Sequence, residues 1–156
     1  MISPETLRRY PYFAGIGSES LRELAMMAEE KRIAADAVLF RAGDPAKSLS
    51  IILTGEVNIQ HLLGNGELRT VDTLVAGDLL GWSALIEPYK YTAIGTTTKA
   101  TELAMIDGQK LRQLCDRDPL LGYRLAVEVA KLLGLRIPPP PPRRPAPRLS
   151  PTGGAG

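Results

Sequence analysis

From Arg32 to Ile106, apolar and polar residues alternate in short runs rich in Val, Ile, Leu and Thr, broken at Gly43-Asp44, Gly55, Gly64-Asn65-Gly66 and Gly77-Asp78. Breaks at intervals of about ten residues predict an antiparallel sandwich or roll. Within one run, Val57, Ile59 and His61 fall on one face and Asn58, Gln60 and Leu62 on the other, the period of two that marks a strand. Leu63-Gly64-Asn65-Gly66-Glu67 reads as a hairpin turn joining Val57–Leu62 to Leu68–Leu74. A mainly β fold follows, a jelly roll of about eight antiparallel strands over residues 32–106.

The flanks carry a different period. Leu21, Leu24, Ala25 and Ala28 repeat at helical intervals, and Ser20 and Glu23 have capping-box spacing, which predicts an N-terminal helix over 18–30 with Ile16 stapling its start. Asp107 is placed to cap a short helix over 108–115. Asp118-Pro119, an acceptor followed by proline, opens a long helix over 119–136. That helix bears Leu120, Leu121, Leu125, Val127, Val129, Ala130, Leu132, Leu133 and Leu135, more apolar surface than one face holds. One stripe packs on the roll. The surplus calls either for a partner across Leu121, Leu125, Leu132 and Leu135, with Glu128 and Lys131 at its flank, or for burial on two sides by the same domain.

Residues 1–137 therefore form one domain, and 138–156 do not continue it. Pro138–Pro142 and the Arg, Pro, Ser and Gly residues after them lack apolar periodicity, so this tail is expected to be disordered; a proline-rich ligand for an aromatic groove is the alternative.

Composition narrows the function. The 156 residues are 44% hydrophobic with a mean hydropathy of −0.03, and no apolar run approaches the roughly 18 residues of a membrane helix. With no signal-peptide pattern at Met1–Glu5, a cytoplasmic location is the expectation. The net charge of +2 owes three positive charges to Arg143, Arg144 and Arg148; the rest stands at −1, which is no nucleic-acid footprint. Cys115, the single cysteine, reads as a small core residue, and His61, the single histidine, as a strand residue on the solvent face. With scattered carboxylates and one histidine, neither a catalytic constellation nor a metal or cofactor site is predicted.

The most telling run is Gly77 to Ala93: a tight turn, a short apolar stretch able to make one helical turn, and a return into a Thr-rich strand. Such a loop is shaped to hold a small anion against backbone N–H groups, here those around Ser83 and Ala84. Together with Pro11-Tyr12-Phe13, Val38–Asp44, Leu53–Val57 and Val75–Asp78, it resembles the phosphate-binding cassette and strand-turn signatures of the cyclic nucleotide-binding domain family, over roughly Leu7 to Arg136.

The resemblance implies a non-catalytic ligand-binding roll whose last helix pairs with its twin in a parallel dimer. In members that bind cyclic nucleotides, a Gly-Glu opens the cassette, the Glu accepting from the ribose 2′-OH, and an Arg before (Ser/Thr)-Ala pairs with the cyclic phosphate. Here Trp82 follows Gly81 in the place of the Glu, and Tyr91 precedes Thr92-Ala93 in the place of the Arg. Lys90 restores the charge only if the loop is threaded one residue differently. The family's DNA-acting regulators also carry a helix-turn-helix domain after the dimer helix, for which this chain offers only its Pro-rich tail, so no DNA binding by this chain alone is expected. Two functions are implied: a regulatory or accessory interaction subunit with a degenerate cassette, acting as a homodimer or within a larger protein complex, or a sensor of a cyclic nucleotide or other small anion.

Overall fold

The computed structural model describes residues 2–134. Eight strands form two four-stranded antiparallel sheets, the predicted jelly roll. One sheet contains β1 (Ala28–Ile33), β8 (Thr101–Asp107), β3 (Ser48–Thr54) and β6 (Leu79–Leu80), in that order. The other contains β2 (Val38–Phe40), β7 (Ile94–Thr97), β4 (Glu56–Leu62) and β5 (Leu68–Val75). Around them lie α1 (Pro4–Arg8), α2 (Ser18–Met27), α3 (Gly108–Arg117) and α4 (Pro119–Leu132).

The central strands of the first sheet, β8 and β3, are buried on both faces. Leu49, Ile51, Ala104 and Ile106 pack towards the helices with Leu21, Leu24, Leu111 and Leu121, whereas Ile52, Leu80 and Leu103 face the roll interior with Val57 and Leu74. This is why β3 reads as a nearly continuous apolar run. Half-buried Leu132, near the end of α4, packs against both clusters.

The hairpin is as predicted, with β4 and β5 paired from Glu56↔Val75 to Leu62↔Leu68 and Gly66 in the left-handed region at φ 85°. Asp107 accepts from the Lys110 N–H at 2.9 Å and Asp118 from the Leu121 N–H at 3.3 Å, so both expected caps form.

The N-terminal helix is shorter than its sequence period. It stops at Met27, and Ala28–Ile33 instead pair with β8 in six steps from Ala28↔Ile106 to Ile33↔Thr101. Glu29, Glu30, Lys31 and Arg32 favour a helix locally, but sheet hydrogen bonds outweigh that preference, and their charges suit an edge strand. The roll therefore begins at residue 28. Ser20 does not cap α2 either: Gly17 is the N-cap, and the Ser20 hydroxyl donates to Asp118 Oδ2 at 2.7 Å, tying α2 to the start of α4. The α3 helix runs two residues past its expected end, to Arg117.

In α4, Leu121 and Leu125 are 0% and 1% exposed, so they belong to this domain's own core and not to a seam. Apolar residues on the opposite side, Leu120 and Tyr123, are 44% and 66% exposed, with Val127 and Ala130 half-buried behind them. Glu128 and Lys131 pair at 3.3 Å. The helix stops at Leu132, four residues short of its expected end, with Leu133 as C-cap and Gly134 in the left-handed region at φ 73°; Leu135, Arg136 and the Pro-rich tail lie outside the described residues.

Candidate functional site

The cassette starts at Gly81, where φ is 82° and a side chain would bring Cβ to 2.8 Å from the Ser48 carbonyl of β3. Glycine is what allows the chain to turn this close to the sheet. Trp82–Leu85 then make one turn of 3₁₀ helix, the helical turn expected from the sequence. Ser83 and Ala84 are buried, and the Ala84 N–H donates to the Gly81 carbonyl at 3.0 Å. That bond withdraws one of the two amides expected to meet an anion.

The tip of the loop is clamped to α3. Ala84 packs over Gly108, where a Cβ would stand 3.1 Å from the Ala84 Cβ; Arg112 Nη1 donates to the Ala84 carbonyl, and its guanidinium lies 4.0 Å above the Tyr89 ring. The returning arm is fixed by backbone bonds to the β2–β3 connection: Ala46 N–H to Tyr89 O at 2.8 Å, Tyr91 N–H to Asp44 O at 2.9 Å and Gly43 N–H to Tyr91 O at 2.8 Å. A one-residue slip would break all three, so Tyr91 keeps its place.

Behind the cassette the roll encloses a cavity of about 420 Å³. Gly81, Trp82, Ser83, Tyr91, Thr92 and Ala93 all line it; Ala84 and Lys90 do not. Lys90 is exposed and forms an isolated bridge with Pro45. The Tyr91 ring stacks on Phe40 at 3.9 Å, an approach made possible by Gly95, whose Cβ would collide with the Phe40 ring at 2.6 Å. Burial first, and then the Asp44 carboxylate, push the Tyr91 phenol above its ordinary pKa, which keeps it neutral.

Two ionisable lining residues, His61 and Asp72, are not among those expected from the sequence. His61 is exposed as expected, but it shares the inward face of β4 with Val57 and Ile59 and stands at the cavity. Asp72, directly opposite Ile59 on β5, brings a carboxylate to the same wall. The alternation of β4 was the available signal for His61. For Asp72 the hairpin register holds the information, and a bulge between Ile59 and Gln60 obscures it. No lysine or arginine is among the lining residues, all of which are described.

Cys115 is half-buried where Gly122 brings α3 and α4 together, and burial, then Asp116 and Asp118, push its thiol up to about 11. It is a packing residue with little thiolate at neutral pH. Among the described residues no group of His, Cys, Asp or Glu is placed to hold a metal ion, and no helix is long and apolar enough to cross a membrane.

The family model for the cyclic nucleotide-binding domain matches residues 30–118, from the first strand through the cassette to the start of the last helix. The chain belongs to the cyclic nucleotide-binding domain family.

Within that family, a solved structure of a proposed cyclic nucleotide-binding protein from Geobacter metallireducens GS-15 is 35% identical and superposes with a TM-score of 0.75, covering 86% of this chain and 98% of that one. The cyclic AMP receptor protein of Thermus thermophilus is 27% identical over 124 residues, 79% of this chain and 57% of the relative. A proposed potassium channel protein of Rhodopseudomonas palustris is 26% identical over 117 residues, 75% of this chain and 28% of the relative. The chain thus spans little more than half of one curated relative and under a third of the other.

Proposed function

We propose that this chain is a non-catalytic regulatory or accessory module of the cyclic nucleotide-binding fold, cytoplasmic, whose cassette no longer holds a cyclic nucleotide tightly. One observation carries the reading: the chain has the family's fold, and no lysine or arginine lines the cavity behind the cassette. A buried cyclic phosphate loses several kcal/mol of hydration. A tyrosine hydroxyl and backbone amides supply neutral hydrogen bonds of about 1 kcal/mol each, which offset only part of it. Trp82 cannot accept a hydrogen bond from a ribose hydroxyl at all.

Ligand linkage gives a direct test. A site with micromolar affinity would gain about 4 kcal/mol of stability in 1 mM cyclic AMP. We expect no change in melting temperature beyond that caused by an equal concentration of AMP. An upward shift of several degrees with cyclic AMP alone would show that the pocket binds it.

The interaction surface is the outer side of α4. Leu120, Tyr123, Val127 and Ala130 follow the three-four spacing of a coiled-coil seam, and Glu128 with Lys131 borders it. This stripe replaces the one expected at Leu121 and Leu125. We predict a dimer in sedimentation equilibrium that a double substitution, Tyr123→Glu with Val127→Glu, converts to monomer while far-UV circular dichroism stays unchanged. A wild-type monomer would leave the seam for a different protein, and a dimer that survives the substitutions would place the interface elsewhere.

A second reading, a sensor of some other small molecule, is favoured by the cavity itself. Its volume of about 420 Å³ and mostly apolar lining suit a small molecule.

A further inference from the structure

Resting on the reading that a cyclic phosphate is no longer the ligand, we propose that the cavity takes a small organic cation, an amine with an apolar or aromatic body. Its walls explain the body. Ile59, Leu74, Leu79, Leu80 and Leu132 supply apolar surface, Trp82 and Tyr91 supply aromatic rings, and about 420 Å³ is within the range of small-molecule pockets.

Asp72 explains the charge. It is the only carboxylate among the lining residues, an exposed side chain on β5 directly opposite Ile59 across the hairpin. Its Oδ1 accepts from the Thr73 N–H at 2.8 Å, and no ion pair occupies the carboxylate among the described residues. A carboxylate lining an apolar cavity attracts an ammonium and repels a phosphate.

Two neighbouring cations stand outside the lining of the cavity. Arg69 pairs with His61 two steps nearer the hairpin tip, and Arg41 lines an adjoining groove that shares His61, Thr92 and Ala93 with the cavity.

Trp82 is the only tryptophan in the chain and lines the cavity, so its fluorescence reports occupancy. Three probes of similar shape separate the charges: phenethylamine, phenethyl alcohol and phenylacetate, titrated at pH 7.5 alongside cyclic AMP. The amine is expected to bind at least about tenfold tighter than the alcohol, with phenylacetate weakest, and Asp72→Asn is expected to bring amine and alcohol to equal affinity without loss of the Trp82 signal. Equal binding of amine and alcohol by the wild type, tighter binding of phenylacetate, or no response to any probe overturns the inference and leaves the loss of cyclic nucleotide binding standing. Submicromolar binding of cyclic AMP overturns both.

Discussion

Replacing Trp82 by Glu and Tyr91 by Arg together is expected to raise the affinity for cyclic AMP by a hundredfold or more. The backbone of the cassette is already in place: Gly81 turns in the left-handed region, Trp82–Leu85 form the helical turn, and three backbone bonds hold the returning arm against residues 43–46. What is missing is a charged donor at 91 and an acceptor at 82. A charge-assisted hydrogen bond contributes about 1.5–3 kcal/mol, and each 1.4 kcal/mol is a factor of ten.

The arginine should give most of the gain. Glutamate alone adds a second carboxylate to a cavity that already contains Asp72, and should weaken anion binding slightly. Losing the Tyr91 stack on Phe40 costs about 0.5–1.5 kcal/mol of stability, which a domain of this size tolerates. Calorimetric titration of the two single variants and the double variant checks all three expectations. No gain in the double variant would mean that Tyr91 does not stand where the family's arginine stands.

Gly55→Ala should destabilise the fold by about 3 kcal/mol or more, the largest loss expected from adding one methyl group. Gly55 turns β3 into β4 at φ 104°, and its Cβ would stand 2.6 Å from the Thr101 Cα and 2.8 Å from the Ala100 carbonyl. Thr101 is 1% exposed, accepts from the Glu56 N–H at 3.3 Å and donates to the Lys99 carbonyl at 2.9 Å, so it has no room to yield. Gly66→Ala is the control: φ is 85° there, but nothing lies within 4 Å, so only the backbone strain of about 1–2 kcal/mol remains. Urea denaturation of both variants separates the clash from the strain. Equal losses at the two positions would show that packing against Thr101 is not what demands glycine at 55.

The β4–β5 hairpin, the Asp107 and Asp118 caps and the helical turn of the cassette were legible in the sequence because each depends on residues a few positions apart. The short helix α1 had such a signal too, in Ser3-Pro4, where the Ser3 hydroxyl accepts from the Thr6 N–H at 3.2 Å. The first strand was not legible. Ala28–Ile33 becomes β through pairing with residues more than sixty positions away, against the helical preference of its own charged residues.

Distance along the chain also hid the true partner of Ser20, which is Asp118. In α4 the apolar period showed that two faces exist, but only packing decides that Leu121 and Leu125 turn inward and Leu120 and Tyr123 outward. The cassette residues could be named from the run itself. The walls opposite them, His61 and Asp72, depend on strand register, and so does the electrostatic character of the cavity.

On the proposed reading, this roll keeps the fold of a cyclic nucleotide-binding domain without the cation that would hold the phosphate. Isothermal titration calorimetry of the full chain with cyclic AMP and cyclic GMP at low ionic strength tests it most directly. No saturable heat is expected at micromolar nucleotide. A submicromolar dissociation constant for either nucleotide would contradict it and would require a cation at the cavity.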